Sequence, residues 1–120
     1  MDIEQRSVGK VTIFAISGDI TMSSNAAVRV SDKVRSALQE GRKQIVLDLG
    51  RVRYVDSTGL GELVQAFSAV RTRGGALKLL NVTKRLVDLL VVTKLLVVFD
   101  CYDDQTAALD SFTRPAMPAA

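Results

Sequence analysis

Asp56-Ser57-Thr58-Gly59-Leu60-Gly61 is a small polar patch set between two strongly patterned stretches. Upstream, Ile45-Val46-Leu47-Asp48-Leu49 is almost continuously apolar, the pattern of a strand buried on both faces of a parallel sheet. Downstream, Leu60, Leu63, Val64, Phe67 and Val70 recur at helical spacing. The hexapeptide therefore marks a strand-to-helix junction. There a hydroxyl can stand exposed at the electropositive N-terminal end of a helix, a place that accommodates a phosphoryl group well.

Outward from that junction, the same reading extends along the chain. Ile3–Ser7 and Val11–Ser17 read as strands joined by a tight turn at Val8-Gly9-Lys10. Gly18-Asp19-Ile20-Thr21 leaves the second strand, and Ser23, Ser24 or Asn25 supplies a helix cap. The helix that follows carries a stripe of Ala27, Val30, Val34, Ala37 and Leu38 and stops at Gly41. After the strand at Ile45–Leu49, a second helix is predicted from about Gly59 to Thr72, ended by Gly74-Gly75. Ala76–Leu80 is a further strand, and Asn81–Thr83 open a third helix with Leu86, Leu89 and Leu90 inward. A last strand falls within Leu95–Tyr102, then Asp103 or Asp104 caps a helix holding Ala108, Leu109 and Phe112. The order β-β-α-β-α-β-α-β-α implies one α/β domain over residues 1–113, with about five strands in a mixed, mostly parallel sheet and four helices. Residues 114–120, with two prolines and small side chains, read as a frayed tail.

Composition narrows the function. The chain has 120 residues, 48% of them hydrophobic, enough for a real core. It contains no histidine, which excludes a Ser-His-Asp triad and most zinc catalysis. One cysteine, Cys101, forms no internal disulfide and reads as a buried, inert thiol. No apolar run reaches the ~20 residues of a membrane helix; the longest, around Leu86–Phe99, is broken by Asp88, Thr93 and Lys94. With no signal-peptide pattern at its start, the sequence reads as cytoplasmic. The net charge of +3 comes without a dense basic run interleaved with aromatics, so nucleic acid is not the expected partner.

With the junction, the flanking strand and the element order assembled, the chain resembles the STAS domain, specifically the bacterial anti-sigma factor antagonists. The resemblance covers about residues 3 to 112. Gly18-Asp19-Ile20, Gly74-Gly75 with Leu77-Lys78-Leu79, Thr93 with Leu95, and Phe99-Asp100 with Tyr102-Asp103 all fall where that family places similar residues. The resemblance implies a phosphorylation-controlled partner switch. In that family the unphosphorylated antagonist binds an anti-sigma factor of histidine-kinase-like ATPase fold, which frees a sigma factor. The same anti-sigma factor phosphorylates the antagonist on serine, and a metal-dependent phosphatase of the PP2C type reverses the mark. The acceptor position matches Ser57; the partner-facing positions match Asp19, Thr21, Asn25, Asp56, Thr58, Gly59, Leu60 and Gly61. Gly59 and Gly61 are expected to let another backbone approach the hydroxyl. No cofactor is expected on this chain, since ATP would belong to the kinase.

Two positions depart from the family pattern. Thr21 stands where an acidic residue is common, and Lys94 stands for a glycine, which suggests a different turn after the third helix. Plainer readings stay open beside the functional ones. Ser57 can be a helix cap, Thr58 a cap or support, Asp56 an Asx-turn residue, Asp19 and Thr21 loop polar groups, and Asn25 a cap. Arg51 and Arg53 read as solvated loop charges or as contacts to an acidic partner. An alternative function is a STAS scaffold in a different signalling or lipid-transport complex. A hydrolase with Ser57 as nucleophile lacks a base: there is no histidine and no lysine close in sequence.

Overall fold

Burial separates the middle of the sheet from its edges. The structure, a computed structural model, describes residues 2–21, 26–95 and 98–113. Strand β1 (Asp2–Val8) is mostly exposed, whereas β2 (Val11–Ile20), β3 (Gln44–Val55) and β4 (Ala76–Leu80) carry runs of buried apolar residues; β5 (Asp100–Tyr102) is short and mostly exposed. The five strands lie in the order β1-β2-β3-β4-β5. β1 and β2 are antiparallel across a two-residue turn in which Gly9 takes a left-handed φ of 60°. All other pairs are parallel.

Right-handed crossovers between neighbouring parallel strands place successive helices on one face of a sheet. Accordingly α1 (Ala26–Gln39), α2 (Ser57–Thr72) and α3 (Lys84–Val92) share the larger core with Phe14, Ile16, Ile20, Leu47 and Leu79. Phe67 and Phe99 meet edge to face within it, ring centroids 5.3 Å apart. The opposite face is covered in part by α4 (Gln105–Thr113), which seats Ala108, Leu109 and Phe112 over Val11, Ile13, Val46 and Leu80. Lys78 points to that side. Only 9% exposed, it lies between the rings of Tyr102 and Phe112 and 3.6 Å from Asp100.

The single α/β unit expected from the sequence is present, with several boundaries moved. β3 continues six residues past Leu49, and β2 runs to Ile20 instead of Ser17, because each strand's extension pairs with the other's. Two register irregularities, between Ala15 and Ser17 and between Gly18 and Asp19, let β3 take up extra residues along this pairing. Arg51 and Arg53 are thus strand residues, not loop charges. The last strand shrinks to three residues. Cys101, expected to be buried, is exposed; its thiol is pushed above the ordinary range by partial desolvation and then by Asp100 and Asp103.

The ends of the helices follow one scheme. Gly41 (φ 83°) and Gly74 (φ 77°) close α1 and α2, each followed by an amide that donates five residues back: Arg42 to Ala37 and Gly75 to Val70. Lys94 was expected to signal a different turn. Instead it takes φ 61° and closes α3 in the same way, with Leu95 donating to Leu90 at 2.8 Å. Asn25, Ser23 and Ser24 lie outside the described residues, as does the 114–120 tail.

Candidate functional site

Parallel pairing of β2 with β3 brings their C-terminal ends to one rim of the sheet, Ile20 beside Val55. The backbone amide of Asp56 extends that ladder by donating to the Ile20 carbonyl at 3.3 Å. One residue later the chain is helical. Asp56, extended at φ −88° and ψ 179°, is the N-cap of α2: its Oδ1 accepts from the Gly59 amide at 2.7 Å, and its carbonyl accepts from Leu60 at 2.9 Å.

This cap settles where the serine stands. Sequence reasoning left Ser57 as a possible cap and began the helix near Gly59; in the structure the helix begins at Ser57, and the capping oxygen belongs to Asp56. The Ser57 side chain is exposed on the first turn, with Thr58 exposed next to it. Amides at such a helix start carry partial positive charge, favourable for an anion held there.

The two glycines have different duties. Gly59 is buried, and a β-carbon there would stand 2.1 Å from the Ile20 carbonyl oxygen. Its lack of a side chain is required by the chain's own β2, which the sequence reading attributed to an approaching partner. Gly61 is exposed, with nothing within 4 Å of the position a β-carbon would take. Among the described residues, no internal contact calls for glycine at that position. Leu60 is buried in the core and fixes the helix from beneath.

On the β2 side, Asp19 is partly exposed and its Oδ1 lies 3.7 Å from Arg53 Nε. Thr21, only 9% exposed, is tucked in at the strand end. Together, Asp19, Arg53, Asp56, Thr58 and Gly61 form a rim around the exposed Ser57 hydroxyl. Among the described residues there is no group of three or more acidic, cysteine or histidine side chains placed to hold a metal ion. No helix of the described residues is long and apolar enough to cross a membrane.

Sequence reasoning missed what lies beside this rim. Val52, Tyr54 and Val55 of the β3 extension face Leu86, Leu89 and Val92 of α3 across a cleft of about 310 Å³. The signal was available in Arg51-Val52-Arg53-Tyr54, which alternates basic and apolar as a half-exposed strand does.

Comparison with known proteins adds four findings. The family model described as STAS domain matches residues 2–108. The anti-sigma-B factor antagonist of Bacillus subtilis (strain 168) is 36% identical over 85 residues, which is 71% of this chain and 75% of that protein. Among solved structures, a Thermotoga maritima protein described as a candidate anti-sigma factor antagonist superposes with a TM-score of 0.86 at 24% identity, covering 93% of this chain and 95% of that one. The Bacillus cell fate determinant SpoIIAA in its phosphorylated form superposes with a TM-score of 0.72 at 16% identity, covering 92% and 99%. At those identities the two structures speak for the fold.

Proposed function

This chain belongs to the STAS domain family, and from that premise we propose that it is an anti-sigma factor antagonist switched by phosphorylation at Ser57. Unphosphorylated, it binds an anti-sigma factor and so releases a sigma factor; phosphorylated, it lets go. It acts as a regulatory binding partner and kinase substrate, not as an enzyme. The kinase is the anti-sigma factor itself, with a histidine-kinase-like ATPase fold, and a PP2C-type phosphatase resets the switch. All of this takes place in the cytoplasm.

The observation that carries this reading is the exposed first-turn hydroxyl whose capping duty has passed to Asp56. Since the fold does not use that oxygen as its cap, the oxygen can be esterified without unravelling the helix. In the transfer, the Ser57 oxygen bonds to the γ-phosphorus of ATP as the bond to the ADP oxygen breaks. The hydroxyl proton passes to a base on the kinase.

Phosphoserine carries close to two negative charges at neutral pH. Placed beside Asp56 in a docking surface, it adds like-charge repulsion and the cost of stripping water from a dianion. A penalty of even ~3 kcal/mol weakens binding more than a hundredfold. The exposed rim positions Asp19, Thr58 and Gly61 form the contact surface with Asp56, while Thr21, Gly59 and Leu60 shape it from below. Asn25, outside the described residues, is proposed as a further partner contact on the family resemblance alone.

The test is intact-mass measurement after incubation with the partner kinase and ATP, paired with binding measurements. Wild type gains one phosphoryl group. Ser57→Ala gains none yet binds with near wild-type affinity, and Ser57→Asp binds at least about tenfold more weakly. If Ser57→Asp binds as tightly as wild type, the switch is elsewhere.

A further inference from the structure

The longest strand of the sheet is covered along only part of one side. β3 pairs with β2 to its end at Val55, but with β4 only from Gln44 to Asp48. β4 stops at Leu80, and Asn81 turns the chain away with a left-handed φ of 56°. Among the described residues, no strand pairs with the β4 side of β3 from Gly50 to Val55. This open edge is roughly 20 Å long at ~3.3 Å per residue.

At Gly50 the amide is already taken by Asp48 Oδ1 at 3.1 Å; beyond it, an open edge presents N–H and C=O groups in register, which is a template for another extended chain. Here the template has a wall. α3 runs alongside, so the edge and the helix enclose the cleft described above. Tyr54 is 49% exposed and Val92 80% exposed, apolar surface that an incoming chain would cover.

Charge selects the occupant. The Arg53 side chain is 81% exposed and held only loosely by Asp19, and Arg85 is exposed on α3; among the described residues Asp88 is the one acidic side chain lining the cleft. A second copy pairing edge to edge would bring Arg51 and Arg53 against their own counterparts. A segment carrying carboxylates meets the arginines favourably.

We propose that the β3 edge at Gly50–Val55, with α3 opposite, is a docking groove for an extended, acidic segment of a partner protein, which adds to the sheet as a further strand. The backbone edge supplies directional hydrogen bonds and the cleft receives alternate side chains. This groove adjoins the rim around Ser57 and shares Arg53 with it, but the proposal stands whether or not that serine is phosphorylated.

The experiment titrates the isotope-labelled full chain with the acetylated heptapeptide Asp-Val-Glu-Val-Thr-Val-Asp, following backbone amides by NMR. The expected result is shifts centred on residues 50–55 and on α3, with exchange of the edge amides slowed by roughly tenfold at saturation. Arg53→Glu should weaken binding by about fivefold or more, while Arg35→Glu, the same charge change on the outside of α1, should not. The same peptide N-methylated at alternate residues should fail to bind, because a methylated amide cannot donate to the ladder. The proposal is overturned if no edge amide shifts up to about 1 mM peptide. Equal binding of the N-methylated peptide, equal losses in the two arginine variants, or edge-to-edge dimerisation in sedimentation would overturn it as well.

Discussion

At residue 59 the tolerance for a side chain is nil, and two residues later it is wide. A β-carbon on Gly59 would press into the backbone of β2, where neither chain can shift without breaking the Asp56–Ile20 hydrogen bond. Gly59→Ala is expected to cost roughly 2–4 kcal/mol in urea unfolding. Gly61→Ala adds its methyl to open space inside a helix and should stabilise the free protein by roughly 0.5–1 kcal/mol. A stabilised Gly61→Ala protein that has lost its partner would show that the docked surface comes within a methyl's breadth of the helix. Cys101 invites a simpler check. With its thiol held protonated by desolvation and two neighbouring aspartates, its alkylation by iodoacetamide should rise with pH along a curve displaced to higher pH than that of the unfolded chain, despite its exposure. An alkylation curve matching the unfolded chain's would contradict that environment.

Three helices ending in one backbone pattern make an internal experiment. Glycine occupies the left-handed position after α1 and α2; after α3 the position belongs to Lys94, for which that conformation costs about 1–2 kcal/mol. Lys94→Gly should therefore raise stability, by roughly 0.5–1 kcal/mol once the greater freedom of glycine in the unfolded chain is set against it. Gly74→Ala should lower stability by about 1 kcal/mol, both read from chemical denaturation. The helices were legible because their stripes and stops are local signals: Leu60 to Val70 before Gly74, Leu86 to Leu90 before Thr93. The second half of β3 was not. Gly50 and two arginines read as a loop despite the weak alternation of Arg51-Val52-Arg53-Tyr54, and pairing with β2, through its irregular register, is what makes them a strand. Likewise the choice of Asp56 over Ser57 as cap depends on a backbone dihedral that no spacing encodes.

For the whole domain, the question is what a phosphate at Ser57 does to a sheet layered by three helices on one side and one on the other. Little is expected. The helix start gives the dianion a favourable field while Asp56 opposes it, so the two effects largely cancel. The melting temperature of phosphorylated protein should stay within about 4 °C of the unmodified form, with unchanged far-ultraviolet circular dichroism. A larger fall would mean that the mark acts by loosening the domain. The fit of Gly59 against the Ile20 carbonyl explains why the fold should stay still. With backbone seated directly on backbone behind the serine, there is no slack through which a push on the hydroxyl could travel inward. Such a protein resembles a key whose bit is recut while the shank stays rigid: its message is legible only to whoever tries to seat it. Lineages could then retarget the message by altering outward-facing residues, leaving the mounting of the serine untouched.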